Sequence, residues 1–413
     1  MAPGSYGGVG SFASLSIRNY RMLFIGTLAS FTAFFTSTVV QGVVAFELTG
    51  TNTAVGGVVF GQGLGMFFLG PLGGAYADRL PKRRVIAIGQ VFSATCFGSV
   101  GVLYASGTLE ITHLVLNGFA VGCAFGFIGP ARQALVVDLV PHAMLGNAMA
   151  LTNVSNTMSR VAGPLVAAAL IGYEVAGPAA AYGVMSFLYL TSAALLLLLP
   201  RSVVRGDVGE THVFEDLTQG LRYAWQNIRL RHLLIFFVTV MLVGFPHVTL
   251  IPGLLENQLG HSATELTRFA LFSAIGALAA SLSVARFADS RHATRIYSWL
   301  AIMFGGSLVI LALMPGFNSA MAAMVLVGGA SGGFHALNGA VIARAADPIY
   351  MGRVMSLTLL AFAGFSLSAL PLGILADRFG ERSVLMGMGL TVIVISFWMA
   401  AVVARDAQIQ SAD

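Results

Sequence analysis

Apolar residues arrive along this chain in runs of twenty or more, cut by short polar breaks. A helix needs about 20 apolar residues to cross the hydrocarbon core of a bilayer, and backbone groups in lipid must bond within their own segment. Each run therefore predicts a spanning helix. The runs cover residues 20–48, 54–76, 85–106, 111–137, 147–173 and 179–199, then, after a break, 233–255, 266–288, 294–314, 320–345, 354–376 and 384–404. The pattern predicts an all-α membrane protein with twelve transmembrane helices in two pseudo-symmetric six-helix bundles, residues 1–200 and 232–413. The first run, with its core at Met22 to Phe46, is longer than the core of a secretory signal and is expected to be kept as a span.

The break, residues 201–231, is the long polar segment inside the chain. Within it Val213, Phe214, Leu217, Leu221, Ala224, Trp225 and Ile228 recur at helical spacing, with Glu215, Asp216, Gln219, Arg222 and Gln226 on the other side. This predicts an amphipathic cytoplasmic linker helix. It either lies on the membrane surface with Trp225 near the headgroups or packs on the ends of the bundles as a connector.

Composition sharpens the picture. Of 413 residues 57% are hydrophobic and only 9% charged, against roughly 25% charged in a soluble domain. The net charge of +5 does not point to nucleic acid, because the basic residues sit in short loops between the runs. With the N-terminus inside, Arg18, Arg83, Arg84, Arg205, Arg291, Arg344 and most of the others fall on one side, and only Arg268, Arg378 and Arg382 on the other. The positive-inside rule then puts both termini in the cytoplasm. Cys96 and Cys123 lie inside apolar runs without metal-ligand spacing and read as packing residues, so neither metal nor cofactor is expected.

An internal repeat links the halves. Leu145-Gly146-Asn147-Ala148-Met149 opens the fifth run and Met351-Gly352-Arg353-Val354-Met355 the eleventh, each behind an Asp and a Pro, Asp138 with Pro141 and Asp347 with Pro348. Parallel repeats of this kind place a substrate site between the halves.

The loop after the second run reads Gly73-Gly74-Ala75-Tyr76-Ala77-Asp78-Arg79-Leu80-Pro81-Lys82-Arg83-Arg84. The paired glycines allow close helix approach, and Asp78 can accept bonds from the basic cluster or a helix N-terminus. In Gly74, Asp78, Arg79, Lys82 and Arg83 the loop resembles the signature of the major facilitator superfamily, with Pro81 where that signature has a glycine. The resemblance implies a cytoplasmic latch between the halves. Ala285-Arg286-Phe287-Ala288-Asp289-Ser290-Arg291 is a weaker copy, and Gly373-Ile374-Leu375-Ala376-Asp377-Arg378-Phe379-Gly380, which by count faces outside, reads as a loop and helix cap rather than a latch. The stretch from Gly129 to Pro141 with Arg160-Val161-Ala162-Gly163-Pro164, and the layout Phe214, Leu217, Gly220 to Tyr223, resemble the bacterial branch of enterobactin exporters and macrolide efflux pumps. Gly163 and Pro164 match the Gly-Pro pair of the antiporter signature, where a proline permits a bend; Ser159, Ala167 and Ala168 replace its glycines. The resemblance implies efflux by antiport.

Polar residues at membrane depth are candidates for the substrate cavity: Gln41, Arg132, Asn156, Arg160, His247, His335 and Asn338. Arg160 lies deep in its helix and is expected either to face a cavity or to be held by backbone carbonyls or a carboxylate. For Arg132 the structural role is favoured, because Asp138 is near in sequence. Any single amide or histidine here is more often a bond between helices than a ligand contact. For a coupling proton the candidates are Glu47, Asp138 and His247, with His335 read as a neutral hydrogen-bonding group; Glu47 can equally cap its helix.

The histidines form no catalytic or metal constellation, and neither filter loop nor charged ring suggests a channel. The expectation is a monomeric secondary transporter of the bacterial inner membrane, exporting an amphipathic or hydrophobic small molecule with protons as coupling ion. A lipid or lysolipid translocator and a non-transporting sensor or scaffold are the alternatives.

Overall fold

The computed structural model describes residues 12–77, 80–141, 144–172, 177–199, 213–287, 290, 292–347 and 350–410. The first six long helices are α1 Arg18–Thr49, α2 Asn52–Ala77, α3 Lys82–Ala105, α4 Ile111–Leu139, α5 Leu145–Ala167 and α6 Gly177–Leu197. The linker helix α7 spans Val213–Gln226. The second set is α8 Ile228–Val243, α9 Leu266–Ala285, α10 Ala293–Leu313, α11 Phe317–Ala345, α12 Met351–Phe379 and α13 Glu381–Gln410. Ten of these are long and apolar enough to cross a membrane by length and composition, among the described residues. α5 is not among them: Asn147, Asn153, Asn156 and Arg160 make it too polar.

Two ends depart from the sequence expectation for local reasons. The seventh span starts earlier, at Ile228, because Asn227 ends the linker helix and caps α8, its Oδ1 accepting from the Leu230 N–H at 3.1 Å. Beyond Val243 the span continues to Gln258 as short 3-10 and π turns. Pro246 and Pro252 each remove an N–H from the ladder there.

Lipid offers no hydrophobic drive between helices, so close backbone packing must supply cohesion. α2 and α4 do this with glycines four or eight residues apart. A Cβ on Gly61 would sit 2.7 Å from the Val115 carbonyl oxygen, and one on Gly118 2.6 Å from that of Val58. Gly73 meets Gly126 along the same seam. α9 and α11, the corresponding pair of the second half, repeat the arrangement: a Cβ on Gly332 would lie 2.6 Å from the Ala277 Cα, and Gly276 and Gly328 press on Val325 and Ser273.

The buried core is divided unevenly. One apolar cluster runs through both halves and includes Val40, Val44, Phe97, Phe236, Tyr297 and Phe304. Toward the end bearing Lys82 and Arg83 it continues only in the second half, to Val284 and Ala293, and two smaller clusters appear. One, with Tyr20, Ile86, Leu135 and Leu196, belongs to the first half; the other, with Leu230, Ile342 and Val354, belongs to the second. The linker helix joins that second cluster through Ala224. Its Tyr223 ring stacks 4.1 Å from Tyr350, and the Tyr223 hydroxyl accepts from the Asp347 N–H at 2.9 Å. Leu221 and Trp225 remain exposed. The helix is thus a connector docked on the second half that also presents an apolar face outward.

Candidate functional site

The most polar helix, α5, is seated on α1 by hydroxyls and a glycine. Ser159 donates to the Leu28 carbonyl at 3.1 Å, Thr32 donates to Ser159 at 3.3 Å, and Thr36 donates to the Gly163 carbonyl at 3.2 Å. Gly163 lets the backbones meet, since a Cβ there would lie 2.5 Å from the Phe35 Cβ. Pro164 has no N–H to return to the Arg160 carbonyl, which permits the helix to bend at that point. Arg160 is fifteen residues into α5, roughly 22 Å along its axis. Its Nε donates to Asn156 Oδ1 at 3.2 Å, and its guanidinium lies 5.2 Å from the centre of the Phe35 ring. From the opposite half His335 of α11 stands within electrostatic reach of Arg160, with Phe245 6.5 Å from the imidazole, centre to centre.

At one end of the molecule the halves are pinned together. The Asn52 and Thr53 N–H groups, the free N-terminus of α2, donate to Asp377 Oδ1 and Oδ2, each at 2.8 Å. The Asn52 amide and Thr53 hydroxyl add bonds of 3.0 and 2.5 Å to the same carboxylate. Glu381, buried at the start of α13, accepts from Asn52 at 2.9 Å and from Asn257 at 2.7 Å. Below this cluster α2 and α12 touch backbone to backbone, a Cβ on Gly56 falling 2.5 Å from the Ala369 carbonyl oxygen and one on Gly373 2.5 Å from that of Asn52.

Residues 9–412 match the model of the family described as transmembrane secretion effector, a branch of the major facilitator superfamily. The chain belongs to that family. It is 24% identical over 375 residues to macrolide efflux protein A of Streptococcus pyogenes, covering 87% of this chain and 91% of that protein. It is also 24% identical over 358 residues to the staphyloferrin A transporter of Staphylococcus aureus, covering 85% and 88%. A solved mutant of the nucleoside transporter NupG superposes with a TM-score of 0.71 at 16% identity, covering 93% of this chain and 99% of that one, which shows the major facilitator fold. The chain is therefore a multi-pass membrane transporter of small molecules and not an enzyme.

In this major facilitator transporter the residues singled out from sequence fall into three groups. Arg160, Asn156 and His335 come together between the halves. Four others are held inside one half. Gln41 donates to Asn117 at 3.0 Å; Asn338 accepts from Tyr297 at 2.8 Å; buried His247 bonds the Gly244 carbonyl at 2.9 Å through Nδ1; and Arg132 donates to Ser30 at 2.9 Å with its guanidinium 4.8 Å from the Phe31 ring centre. Asp138 is not the partner of Arg132, because six residues of helix turn the two to different faces; its carboxylate pairs with Lys82 at 2.7 Å.

The third group lies at the helix ends. Arg83 donates to the Leu197 and Leu199 carbonyls, at the end of α6 in its own half. Asp78 and Arg79 lie outside the described residues, as does Asp289, and of Gly74 only its place in α2 is described. Glu47 is exposed at the end of α1, close enough to Glu256 for their charges to interact. The Gly373 to Gly380 stretch does cap a helix, but the helix belongs to the other half. Sequence reasoning also missed Gln90, fully buried with neither amide atom bonded, which borders a small cavity shared with Ser30, Arg132 and Tyr189.

Proposed function

We propose that this transporter is a proton-coupled exporter of an amphipathic or hydrophobic small molecule, working by alternating access as a monomer in the bacterial inner membrane. The observation that carries the reading is the uneven core: the halves share one cluster toward the Asp377 end and have separate apolar cores at the Lys82 end, with Arg160 and His335 between them. A molecule with one end fused and the other divided is one member of an alternating pair. The positive-inside distribution supports assigning the Lys82 end and both termini to the cytoplasm, so that this state faces inward. In the opposite state the loop of Gly74, Asp78, Arg79, Lys82 and Arg83 closes the cytoplasmic end. That the streptococcal relative is a macrolide efflux protein supports efflux as the direction. Coupling is assigned to carboxylates at the outer end, with Glu47 beside Glu256 as first choice, because His247 and Asp138 are already engaged within one half.

The test is flux of an amphipathic fluorescent dye into liposomes carrying the purified protein and an imposed pH gradient. Concentrative uptake that stops with a protonophore, and loses pH dependence in Glu47→Gln, is expected. Uptake that persists unchanged after the gradient collapses removes proton coupling.

A further inference from the structure

We propose that the exported molecule carries an anionic group of the carboxylate class, bound by Arg160, beside an apolar body that packs on Phe35 and Phe245. The inference deepens the exporter reading and rests on it. It begins with an imbalance of charge. Arg160 is deep in α5, where an unpaired guanidinium is costly, yet its described bond is a single one, from Nε to the neutral amide of Asn156. Among the described residues the two terminal nitrogens have no partner, and the side chain as a whole is half-buried. The guanidinium lies where the halves face each other, within electrostatic reach of His335. Among the described residues no carboxylate answers this charge: the two described ion pairs, Lys82 with Asp138 and Arg268 with Glu265, lie at the ends of helices. The group facing Arg160 from the second half is an imidazole, which cannot serve as counter-ion.

A guanidinium with its two terminal nitrogens free presents the fork that a carboxylate meets in a bidentate pair. The Phe35 face against which it lies keeps the plane of the fork in place. On the opposite wall Phe245 offers an apolar surface beside His335. An anion supplied by the cargo would neutralise the site in the loaded protein and leave it charged in the empty one.

The experiment measures equilibrium binding of three fluorescent probes to the full chain in lipid nanodiscs: dansylglycine, its methyl ester, and dansyl-ethylenediamine, which share a body and differ in charge. The carboxylate is expected to bind about tenfold or more tighter than the ester, with the amine weakest. Arg160→Lys should keep part of the preference and Arg160→Gln should abolish it. Asn156→Asp, nearly identical in shape, places a carboxylate on Arg160 and should likewise abolish the preference while leaving the fold intact. Equal binding of carboxylate and ester, absence of carboxylate binding, or a preference that survives Asn156→Asp overturns the proposal. The exporter reading is judged separately, by pH-driven dye flux, and stands if uncharged or cationic dyes are concentrated.

Discussion

The two ends of the molecule are built from similar sequence and do different things. Both carry a Gly-x-x-x-Asp-Arg stretch at the end of a long helix, Gly74 to Arg79 after α2 and Gly373 to Arg378 at the end of α12. At the second, Asp377 crosses to the other half and collects the free N–H groups of α2. At the first, the described basic residues stay at home: Lys82 holds Asp138 and Arg83 holds the end of α6. A carboxylate at a helix N-terminus is favoured by both the unbonded N–H groups and the helix dipole, and it is short-ranged. It works as a fastener only while the partner helix is in place. On the alternating-access reading proposed above, one chemical device used at opposite ends holds alternate states of the same machine.

The largest effect should come from wedging the fastened end apart. Gly56→Leu puts a side chain where the Ala369 carbonyl already stands. Overpacking of this sort costs about 1–3 kcal/mol or more, a shift of roughly five- to a hundredfold in the balance between closed and open forms. The distance between spin labels at Ser106 and Asn318, exposed residues of opposite halves near that end, should lengthen, and transport should fall with it. An unchanged distance distribution would mean that the α2–α12 contact does not set the closed state.

Asp377→Asn should act in the same direction but less, by about 1 kcal/mol, the usual worth of a helix cap. Asp78→Asn is expected to drive the same label pair the opposite way and to stall transport while leaving insertion intact. Two variants moving the labels in one direction would break the symmetry drawn here.

Acid should mimic Asp377→Asn. Burial pushes the Asp377 carboxyl up, and the bonds from Thr53 and Asn52 outweigh that and hold it below the usual carboxylate range. A carboxyl depressed in the closed form stabilises that form fully above its ordinary value, and the contribution fades as pH falls through the depressed one. The labels should therefore separate as the medium on that face drops below about pH 4, and Asp377→Asn should remove this response. Persistence of the acid response in that variant would assign it to another group, Glu47 first.

The smallest effect belongs to a bond inside one half. Lys82→Gln breaks the pair with Asp138, which is partly exposed, and should lower thermal stability by about 1 kcal/mol or less. Because Lys82 also belongs to the loop assigned to the cytoplasmic closure, the label distance should shorten slightly, in the direction of Asp78→Asn. An unchanged or lengthened distance would remove Lys82 from that closure.

The membrane-spanning character was readable because twenty-residue apolar runs have few other uses, and the linker helix because its apolar positions keep a helical period. Depth was readable too: Arg160 is as far into its helix as counting placed it. Azimuth was not. Gln41, Asn338 and His247 also lie within apolar runs and turn into their own bundles, toward Asn117, Tyr297 and the Gly244 carbonyl, and no count of residues along one helix tells which neighbour it will meet. The pairing of Arg132 with Asp138 failed for the same reason. The role of Asp377 was hidden more deeply, since its partner is 325 positions away in the chain.

The glycine seams between α2 and α4 and between α9 and α11 carry an implication for how such a protein can diversify. Where carbonyl oxygens fill the space a methyl group would need, as at Gly61, Gly118, Gly276 and Gly328, even alanine requires the backbones to part. Each seam therefore acts as a spine that inheritance has little freedom to edit. On the reading proposed above, new cargo preferences are written on the surfaces turned away from it, on α1, α5, α8 and the Arg160-facing side of α11. A saturation library scored for survival should show two narrow intolerant stripes along these helix pairs, with permissive ground around Phe35 and Phe245.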